Sequence, residues 1–547
     1  MKEKFEPYTK ALIFLLIFHT IANILWISIN KVPPTWDAAL HTIITNKMYL
    51  YLQQGLSNFN LLEFIKISDY YPPVIHSFGV VLAWLGGGNY KLISLTGTLF
   101  FIVMLFFQFL YTEKLFKNKF VAFFASFFLS FFITMYQQSR DHMLDIPMTA
   151  FLLGGLYFFE KSKLLSQRKE TILFFVFLAL AFLSKWYALV YFSVPVLFSL
   201  LQIFKKMDAK KIQNIILGSL LVLVLCAPWY FVNWKTLVNI ASFTATGELA
   251  DPQVLLSKEN IIFYLKVLIM FQTTFIGFLV FTASLIAALK DVKKKQVALI
   301  LVTIFFNYLF FSFVSNKNIR YIIPLMPFVA MMMAYGFSEL FKINKQLGKV
   351  ATLVFSGYLV FTYLMLSFAV PVLPKYKYAI NLPILGWVDV IYLHTYPVRV
   401  LFDRNRTYAP DIMTTISKTR TNQEPSKLFN LVDRDFLNSY SLDPVFYTGS
   451  NLNLKNTELV WLGHLKNYNT EAEMAHFLEI EQVEYILVPQ KHIGVIEAIR
   501  EYEHIERFQK FVLGGSLHNF KIIAEYKLPG DDYFKPDTVY LYTKTGP

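Results

Sequence analysis

Two kinds of residue are scarce in this chain of 547 residues. There is one cysteine, Cys226, and it lies inside an apolar run. No disulfide can therefore form within the chain, so every folded part must be held by an ordinary core. Charged residues make up only 16% of the sequence, against roughly 25% in an average soluble domain. So little charge argues against a soluble protein.

Apolar residues are correspondingly abundant, at 55% of the chain, with 56 phenylalanines and a mean hydropathy of +0.46. No single soluble core needs that much apolar surface, so much of it must face lipid. The run 11–30 follows Lys2, Lys4 and Lys10. It is too long for the core of a signal peptide and lacks a small-residue cleavage site, so we predict a first membrane helix there.

The formal charge of +14 is unevenly distributed. Residues 401–547 hold 16 basic and 20 acidic side chains, a net charge of −4, which leaves +18 for the first 400 residues. That excess lies in short clusters between apolar runs, as expected for cytoplasmic loops. A nucleic-acid-binding protein would concentrate it on one folded domain, so we expect no nucleic-acid partner.

Runs of about 20 apolar residues are long enough to cross a bilayer as helices. They predict a polytopic α-helical membrane protein with about eleven transmembrane helices. Residues 171–204 are interrupted by Ser184–Lys185–Trp186, and we interpret them as two short helices that meet there. The runs are 11–30, 92–112, 120–138, 146–160, 171–184, 187–204, 212–231, 261–289, 296–315, 321–341 and 350–370.

The run 72–87 is only about fifteen residues long and begins with Pro72–Pro73. If it spanned the membrane, five later basic clusters would lie outside the cell. If it lies along the outer surface, those clusters and the N-terminus are all cytoplasmic, which agrees with the positive-inside rule. We therefore predict a juxtamembrane or re-entrant helix. The clusters are Lys114/Lys117/Lys119, Lys161/Lys163/Arg168/Lys169, Lys205/Lys206/Lys210/Lys211, Lys290/Lys293/Lys294/Lys295 and Lys342/Lys345/Lys349.

This topology divides the chain into a transmembrane domain (1–370), an interfacial connector (371–405) and an extracytoplasmic α/β domain (406–547). The first part includes a long outer loop with juxtamembrane helices (31–91), a second outer loop (139–146) and a third (232–260). In the last part hydrophobic density falls and short strand-like stretches surround a helical one, Glu471–Glu481. Those strands are predicted at Lys427–Val432, Glu458–Leu462, Tyr485–Val488 and Val539–Tyr542.

Ionisable residues near a membrane are costly, and those on the predicted outer face are therefore functional candidates. Pro33–Pro34–Thr35–Trp36–Asp37, followed by His41, places one carboxylate just after the first helix. The alternative is a helix N-terminus at which Asp37 is only a cap. Asp69–Tyr70–Tyr71–Pro72–Pro73 begins the juxtamembrane helix, and its alternative is a simple turn.

The second outer loop holds four ionisable residues in six positions, Arg140, Asp141, His142 and Asp145. A salt-bridge knot is the structural alternative there. Outer-face cations also occur, namely Lys185 at the helix break, and Lys317 and Arg320 before Tyr321. They suit a phosphate held at the bilayer surface, although snorkelling explains them too. Trp229–Tyr230 fits an aromatic belt better.

The order of these motifs resembles that of the bacterial membrane glycosyltransferases related to protein O-mannosyltransferases. These are members of the GT-C superfamily, of the family 39 and aminoarabinose-transferase type. The similarity rests on Pro-Pro-x-Trp-Asp, Tyr-Pro-Pro and Arg140-x-x-x-x-Asp145-x-Pro, and it spans residues 11 to about 370. Leu183–Ser184–Lys185, Ala227–Pro228–Trp229–Tyr230 and Arg320–Tyr321–Ile322–Ile323–Pro324 are similar to later landmarks of the family.

The resemblance implies a GT-C fold and an enzyme that moves a hexose or pentose, with inversion, from a polyprenyl-phosphate donor. The acceptor would be a glycan, lipid or protein outside the plasma or inner membrane. Asp37 resembles the family's general base and Asp145 a supporting acid, while Lys185 and Arg320 fall at donor-phosphate contacts. We add Arg140 as a phosphate ligand, and as substrate-positioning residues we predict His41, Asp69, Tyr71, Asp141 and His142.

Two departures from the family pattern bear on a metal cofactor. Many relatives have Asp-Glu in the first loop, where this chain has Asp37–Ala38, and some have Glu-Lys where it has Tyr70–Tyr71. Asp37 and His41, four residues apart, could share a helix face, but two ligands are too few for a structural or catalytic metal site. We predict no metal site and no certain cofactor, with a divalent metal as a weakly supported alternative.

Two other functions stay open. A lipid or glycan transporter or flippase would place charges near the bilayer midplane on broken helices, often within inverted repeats. The candidates here lie in outer loops instead, and the sequence has no visible repeat. An inactive family member that acts in assembly is the other alternative, because the second acidic residue is missing. The sequence does not identify the sugar or the acceptor.

Overall fold

The computed structural model describes residues 6–245, 251–252, 254–374, 376–393, 407–420, 426–434, 436–447, 454, 457–460, 468–494, 502–530 and 535–545. It divides into two compact units. The first comprises Met1–Ile27, Leu50–Val80 and Ser94–Leu401. The second comprises Ser28–Tyr49, Val81–Ile93 and Phe402–Pro547.

The chain up to Phe368 is helical almost throughout. Its helices are α1 (Glu6–Ile29), α2 (Trp36–Gln53), α3 (Leu61–Lys66), α4 (Val74–Gly86), α5 (Tyr90–Phe116), α6 (Lys119–Ser130), α7 (Ile133–Gln138), α8 (Asp145–Lys161), α9 (Arg168–Phe182), α10 (Ala188–Lys205), α11 (Ala209–Ala245), α12 (Lys258–Val267), α13 (Thr274–Leu289), α14 (Lys295–Ser312), α15 (Met326–Ile343) and α16 (Lys345–Phe368).

Short elements complete the first unit. A π-helical turn, Leu268–Gln272, joins α12 to α13, and 3-10 turns occur at Leu56–Asn58 and Ile323–Leu325. Strands β1 (Asp251–Pro252) and β2 (Asn316–Lys317) pair antiparallel. Strands β3 (Tyr376–Leu382) and β4 (Gly386–Leu393) form a hairpin inside the predicted connector. The predicted connector's remaining residues 394–405 lie outside the described part of the chain.

Within the described residues, seven helices are long and apolar enough to cross a membrane, namely α1, α5, α10, α11, α14, α15 and α16. A bent pair, Lys258–Gln272 and Thr274–Leu289, adds an eighth span if the two are counted as one. This is a multi-pass membrane protein. All eleven predicted runs are helical, but α6, α8 and α9 have only 12, 17 and 15 residues. The count of eleven transmembrane helices is therefore not confirmed.

The residues at which the helices begin and end test several local predictions. The two helices predicted to meet near Lys185 are confirmed, because α9 ends at Phe182 and α10 begins at Ala188. A helix after Pro72–Pro73 is confirmed as α4. The prediction of a third outer loop at 232–260 is partly wrong, because α11 continues through residues 232–245. Pro228 lies within that helix.

The second unit contains a five-stranded sheet. Its strands are β5 (Ser426–Asn430), β6 (Thr457–Val460), β7 (Val483–Pro489), β8 (Phe520–Leu528) and β9 (Asp537–Lys544), in the order β6-β5-β7-β9-β8. Strands β6, β5 and β7 are parallel, whereas β7, β9 and β8 are antiparallel. Helices α17 (Tyr408–Thr419), α18 (Glu471–Ile480) and α19 (Tyr502–Leu513) accompany it.

The predicted C-terminal α/β domain is thus confirmed, together with its helix and its predicted strands. The end of one predicted strand, residues 461–462, lies outside the described residues. Strand β8 and helices α17 and α19 were not predicted.

Alternation along the central strands divides the core of this unit into two layers. Leu428 faces one layer and Phe429 the other, as expected for successive residues of a strand. The first layer includes Val32, Ala39 and Ile43, which are fully or nearly fully buried. Helix α2 therefore packs into the core of the C-terminal sheet.

Candidate functional site

Asp145 begins helix α8 and is fully buried. Its Oδ1 accepts hydrogen bonds from Lys185 Nζ at 2.7 Å and from the Tyr187 hydroxyl at 3.1 Å. On the other side, Arg320 Nη1 lies 3.7 Å from Asp145 Oδ2. We call these four residues the Asp145 cluster. Three of them, Asp145, Lys185 and Arg320, were predicted, and the structure brings them together.

The break between α9 and α10 explains how Lys185 reaches the carboxylate. Helix α9 ends with the backbone N–H groups of Ser184 and Lys185 both donating to Ala181 O at 3.0 Å. The carbonyl of Lys185 then accepts from Ala188 N, which starts α10. Within this tight turn Lys185 and Tyr187 point the same way, and the ammonium lies 5.3 Å from the Tyr187 ring centre.

Arg320 lies in the segment between β2 and the 3-10 turn Ile323–Leu325. Its backbone N–H and its Nε both donate to Asn318 Oδ1, at 3.0 and 3.1 Å. Asn318 thus fixes one edge of the guanidinium and leaves the Nη1 edge turned towards Asp145. The nearby Lys317 is fully buried and donates to Phe311 O and Ser312 O at the C-terminal end of α14. Burial lowers the pKa of Lys317 to about 8.

Two cations of the Asp145 cluster meet one carboxylate. The side chains of Lys185 and Arg320 are only 10% and 16% exposed. Both carry N–H groups that suit a phosphate, because a phosphate can accept from two cations at once.

The segment Tyr71–Pro72–Pro73 leads into a contact with the break between α9 and α10. Val74 N, at the start of α4, donates to Leu183 O at 3.3 Å, two residues before Lys185. The rings of Tyr70 and Tyr71 lie 4.2 Å apart. Asp69 is exposed and has a left-handed backbone (φ +53°).

Trp229 departs from the predicted aromatic belt. It is only 2% exposed, and its Nε1 donates to Ser68 Oγ at 2.9 Å. Its neighbour Tyr230 donates from its hydroxyl to Phe182 O at 3.0 Å. The belt interpretation is therefore wrong for Trp229, which packs inside the first unit. The sequence did not show this because a Trp-Tyr pair near a helix end has the same composition in both settings.

Arg140 is held by helices α1 and α16. Its Nε donates to Asn23 Oδ1 at 3.2 Å and its Nη2 to Ser367 Oγ at 2.8 Å. The guanidinium also lies 5.1–5.8 Å from the ring centres of Trp26, Tyr136, Tyr363 and Phe368. With 1% of Arg140 exposed, these partners favour a role in the scaffold over a phosphate contact.

The rest of the predicted second outer loop, residues 139–146, packs tightly. His142 is fully buried, with its ring edge-to-face with that of His76 at 5.9 Å. Burial, and to a lesser degree the neighbouring His76, holds the pKa of His142 well below its ordinary value, so the ring is neutral. Asp141 is half-buried, and a Cβ at Gly97 would lie 2.3 Å from its carbonyl oxygen. Helix α5 can approach this loop only because residue 97 is glycine.

Asp37 and His41 lie in the second unit, on the first turns of α2. Asp37 is half-buried in the acidic first turn, while His41 is 1% exposed. Trp36 has a left-handed backbone (φ +45°), and its Nε1 donates to Asp433 Oδ1 at 3.1 Å. Asp433 was not predicted, because the two residues are 397 positions apart.

Among the residues that the structure describes, no group of three or more His, Cys, Asp or Glu side chains could hold a metal ion. Tyr187 and Asn318 were also missed. Their only signal in the sequence is position, since each stands two residues from a predicted cation.

Residues 71–232 match the family model described as dolichyl-phosphate-mannose-protein mannosyltransferase. ArnT from Cupriavidus metallidurans has a similar structure in the apo state, with a TM-score of 0.58 and 12% identity over 97% of this chain and 98% of that one. Its structure bound to undecaprenyl phosphate matches with a TM-score of 0.57 and 11% identity over the same shares. No curated protein sequence matches this chain significantly.

The ArnT structures confirm the predicted fold class, and the family-model match over residues 71–232 agrees with the resemblance to protein O-mannosyltransferases in that segment. The family-model match contains Asp145 and Lys185. Asp37 and Arg320 lie outside it, so their roles rest on the motif order and on the contacts described above.

Proposed function

We propose that this chain is a glycosyltransferase that moves a sugar from a polyprenyl-phosphate donor to an acceptor outside the cytoplasm, with inversion. The convergence of Lys185 and Arg320 on Asp145 carries this proposal, because two neighbouring cations can bind a lipid phosphate together. Support comes from the family-model match and from the ArnT structure that holds undecaprenyl phosphate.

The reaction needs little from the protein beyond charge and a base. An acceptor hydroxyl oxygen attacks the anomeric carbon, the bond from that carbon to the phosphate oxygen breaks, and its electron pair leaves with the lipid phosphate. We assign to Lys185 and Arg320 the stabilisation of that leaving phosphate. Since a phosphate already leaves readily, no general acid is required. We assign to Asp37 the acceptance of the hydroxyl proton.

Asp145 has a supporting role in this proposal. Its Oδ1 holds Lys185 and Tyr187, which sets where the cations point. Its Oδ2 is buried and accepts no hydrogen bond within the described residues. Asp145 is consequently the second candidate for the base. We retain the positioning roles as proposals for His41, Asp69, Tyr71, Asp141 and His142.

We also propose the orientation inferred from charge, in the plasma or inner membrane, with the basic loops cytoplasmic and the α/β domain outside, where it helps to select the acceptor. The β3–β4 hairpin suits an interfacial connector. The hairpin exposes Tyr376, Tyr378 and Trp387 by 50%, 50% and 67%. Tyr and Trp at such positions are typical of the membrane interface.

Mass spectrometry of lipids that co-purify with the protein tests the donor class. We expect a polyprenyl-phosphate sugar, or the free polyprenyl phosphate, in the wild type and much less in Arg320→Ala. Lys258→Ala is a matched control, because Lys258 is an exposed cation outside the cluster. Equal lipid content in wild type and Arg320→Ala, or co-purification of ordinary phospholipid alone, would contradict the proposal.

A further inference from the structure

Trp36 has an unusual backbone conformation for its residue type. Its φ of +45° lies in the left-handed region, which bulky residues rarely adopt. Such a conformation persists only where the surroundings determine it, and it is enriched at functional sites. Asp37, to which the proposed function assigns the base, is the next residue. The direction of the Asp37 carboxylate therefore depends on what holds Trp36.

One visible restraint on the Trp36 side chain comes from the C-terminal sheet. Its indole Nε1 donates to Asp433 Oδ1 at 3.1 Å. A carboxylate is a stronger acceptor than a neutral oxygen, so the bond is charge-assisted. On the C-terminal side, Ala39 and Ile43 anchor α2 in the core that also contains Ile412 and Met413. Trp36 is the first residue of α2, so the packing of that helix holds its backbone and Asp433 holds its side chain.

Asp433 is itself firmly placed. It follows β5, the strand between β6 and β7, and its backbone N–H donates to Ile493 O at 2.8 Å. Gly494 forms a parallel bridge with it and has φ +127°, and a Cβ there would lie 1.9 Å from Asp433 O. The next residue, Arg434, is fully buried and pairs with Asp537 at 3.4 Å.

The position of Asp433 in the sheet is also significant. The chain passes from β5 to β6 on one side and then returns to β7 on the other, so the carboxyl ends of β5 and β7 form a topological switch point. Functional residues collect at such points in α/β sheets. Asp433 lies at that edge, and its side chain is turned to the motif Trp36–Asp37 rather than into the core.

We propose that Asp433 is a positioning residue. Resting on the function proposed above, it holds the indole of Trp36 and thereby keeps Asp37 where its carboxylate accepts the acceptor's proton. The C-terminal domain then acts on the chemical step as well as on acceptor selection.

The test compares Asp433→Ala, Asp433→Asn and Trp36→Phe in full-length protein in nanodiscs. The probe is a panel of undecaprenyl-phosphate-linked hexoses and pentoses, with membrane extract as acceptor source and released undecaprenyl phosphate as the readout. Misplacing a catalytic group by about 1 Å can cost ~10²-fold, so we expect kcat to fall ~10–100-fold in Asp433→Ala and in Trp36→Phe. The donor KM should not change.

Asp433→Asn supplies the conservative rescue, because its amide oxygen can still accept from the indole; we expect kcat within about threefold of wild type. The double variant Trp36→Phe/Asp433→Ala should be no worse than either single variant, since both remove one contact. Hydrogen exchange at residues 37–40 should rise in both single variants. Wild-type kcat with unchanged exchange, or an Asn variant as impaired as Ala, would overturn the proposal.

Asp37→Asn distinguishes a failure of this inference from a failure of the base assignment on which it rests. If Asp37→Asn is inactive while Asp433→Ala and Trp36→Phe turn over normally, Asp37 remains the base and only the role of Asp433 fails. If Asp37→Asn turns over normally, the base assignment fails and the positioning role fails with it. The hydrogen-exchange measurement needs no substrate. In either case it therefore tests whether the contact between Trp36 and Asp433 holds residues 37–40 in place.

Discussion

Lys185 Nζ lies 2.7 Å from Asp145 Oδ1, so a helix break and the start of a helix forty residues earlier supply the two halves of one buried ion pair. A buried pair is weak grounds for stability, since desolvation offsets much of the attraction. Arg320 brings a second cation to the same carboxylate. Under the proposed function, these two cations also bind the donor phosphate.

Removing either cation should weaken binding of undecaprenyl phosphate. Arg320→Ala is the cleaner change, because Asp145 keeps its bond from Lys185. Hydrogen bonds to charged groups contribute about 1.5–3 kcal/mol each, so affinity should fall ~10–100-fold in Arg320→Ala and in Lys185→Ala. Arg320→Lys should fall between wild type and Ala, since it keeps the charge but loses the planar fork.

Binding in nanodiscs, followed by the ligand-dependent rise in unfolding temperature, measures these affinities. Lys258→Ala should bind like wild type because its side chain is exposed and outside the cluster. Unchanged affinity in both cluster variants would remove Lys185 and Arg320 from the donor site.

Gly97→Ala should destabilise the second outer loop. The added methyl group would lie 2.3 Å from Asp141 O and 3.1 Å from Gln138 O, both backbone atoms that cannot rotate away. It would also disturb the bond from Thr98 Oγ1 to Ser139 O. Overpacking of this kind costs about 1–3 kcal/mol in the free energy of unfolding.

Gly357→Ala, in α16, is the matched control for that measurement. A Cβ there meets nothing within 4 Å, so alanine should be neutral or stabilise the helix by roughly 0.5–1 kcal/mol. Unfolding in detergent, monitored by circular dichroism, compares the two variants. Equal stability of Gly97→Ala and wild type would show that α5 and the loop can separate at no cost.

The sequence specifies the elements of this fold better than their arrangement. Strand β5 was predicted because apolar residues dominate a short segment bounded by polar ones. The end of α6 at Ser130 was not, because Phe131 and Phe132 continue the apolar run across the break. Hydropathy reports how apolar a segment is and not where its helix stops, so it does not determine the number of spanning helices.

The same limit applies to the candidate site. Asp145, Lys185 and Arg320 were each recognisable as a charge in an apolar setting, since such residues are rare unless they serve function. Their mutual distances depend on tertiary packing. The bond between Trp36 and Asp433 is the extreme case, because local pattern carries no information about a partner so far away in the chain.

Accessible cysteines should establish the orientation. In a Cys226→Ala background, Lys163→Cys and Lys293→Cys should react with a membrane-impermeant maleimide only from the cytoplasmic side, because they lie in basic loops. Glu479→Cys, on the exposed side of α18, should react only from outside. All three native side chains are exposed, whereas Ser162 is fully buried and would be a poor choice. Labelling of Lys163→Cys and Glu479→Cys from the same side would contradict the proposed topology.

Asp37→Asn tests the chemistry, because the amide keeps the shape of the side chain but cannot take up a proton as a carboxylate does. A general base contributes about 10²–10⁴-fold, so turnover of an undecaprenyl-phosphate-linked sugar should fall by that factor while undecaprenyl phosphate still binds. Binding should even strengthen slightly if the lost negative charge lay near the phosphate.

Asn is as good as Asp as a helix N-cap, so a residue that only capped α2 would tolerate this change. Near-wild-type turnover of Asp37→Asn would therefore overturn the base assignment. Asp145→Asn provides the comparison, and its effect on turnover should be smaller if Asp145 only orients Lys185 and Arg320.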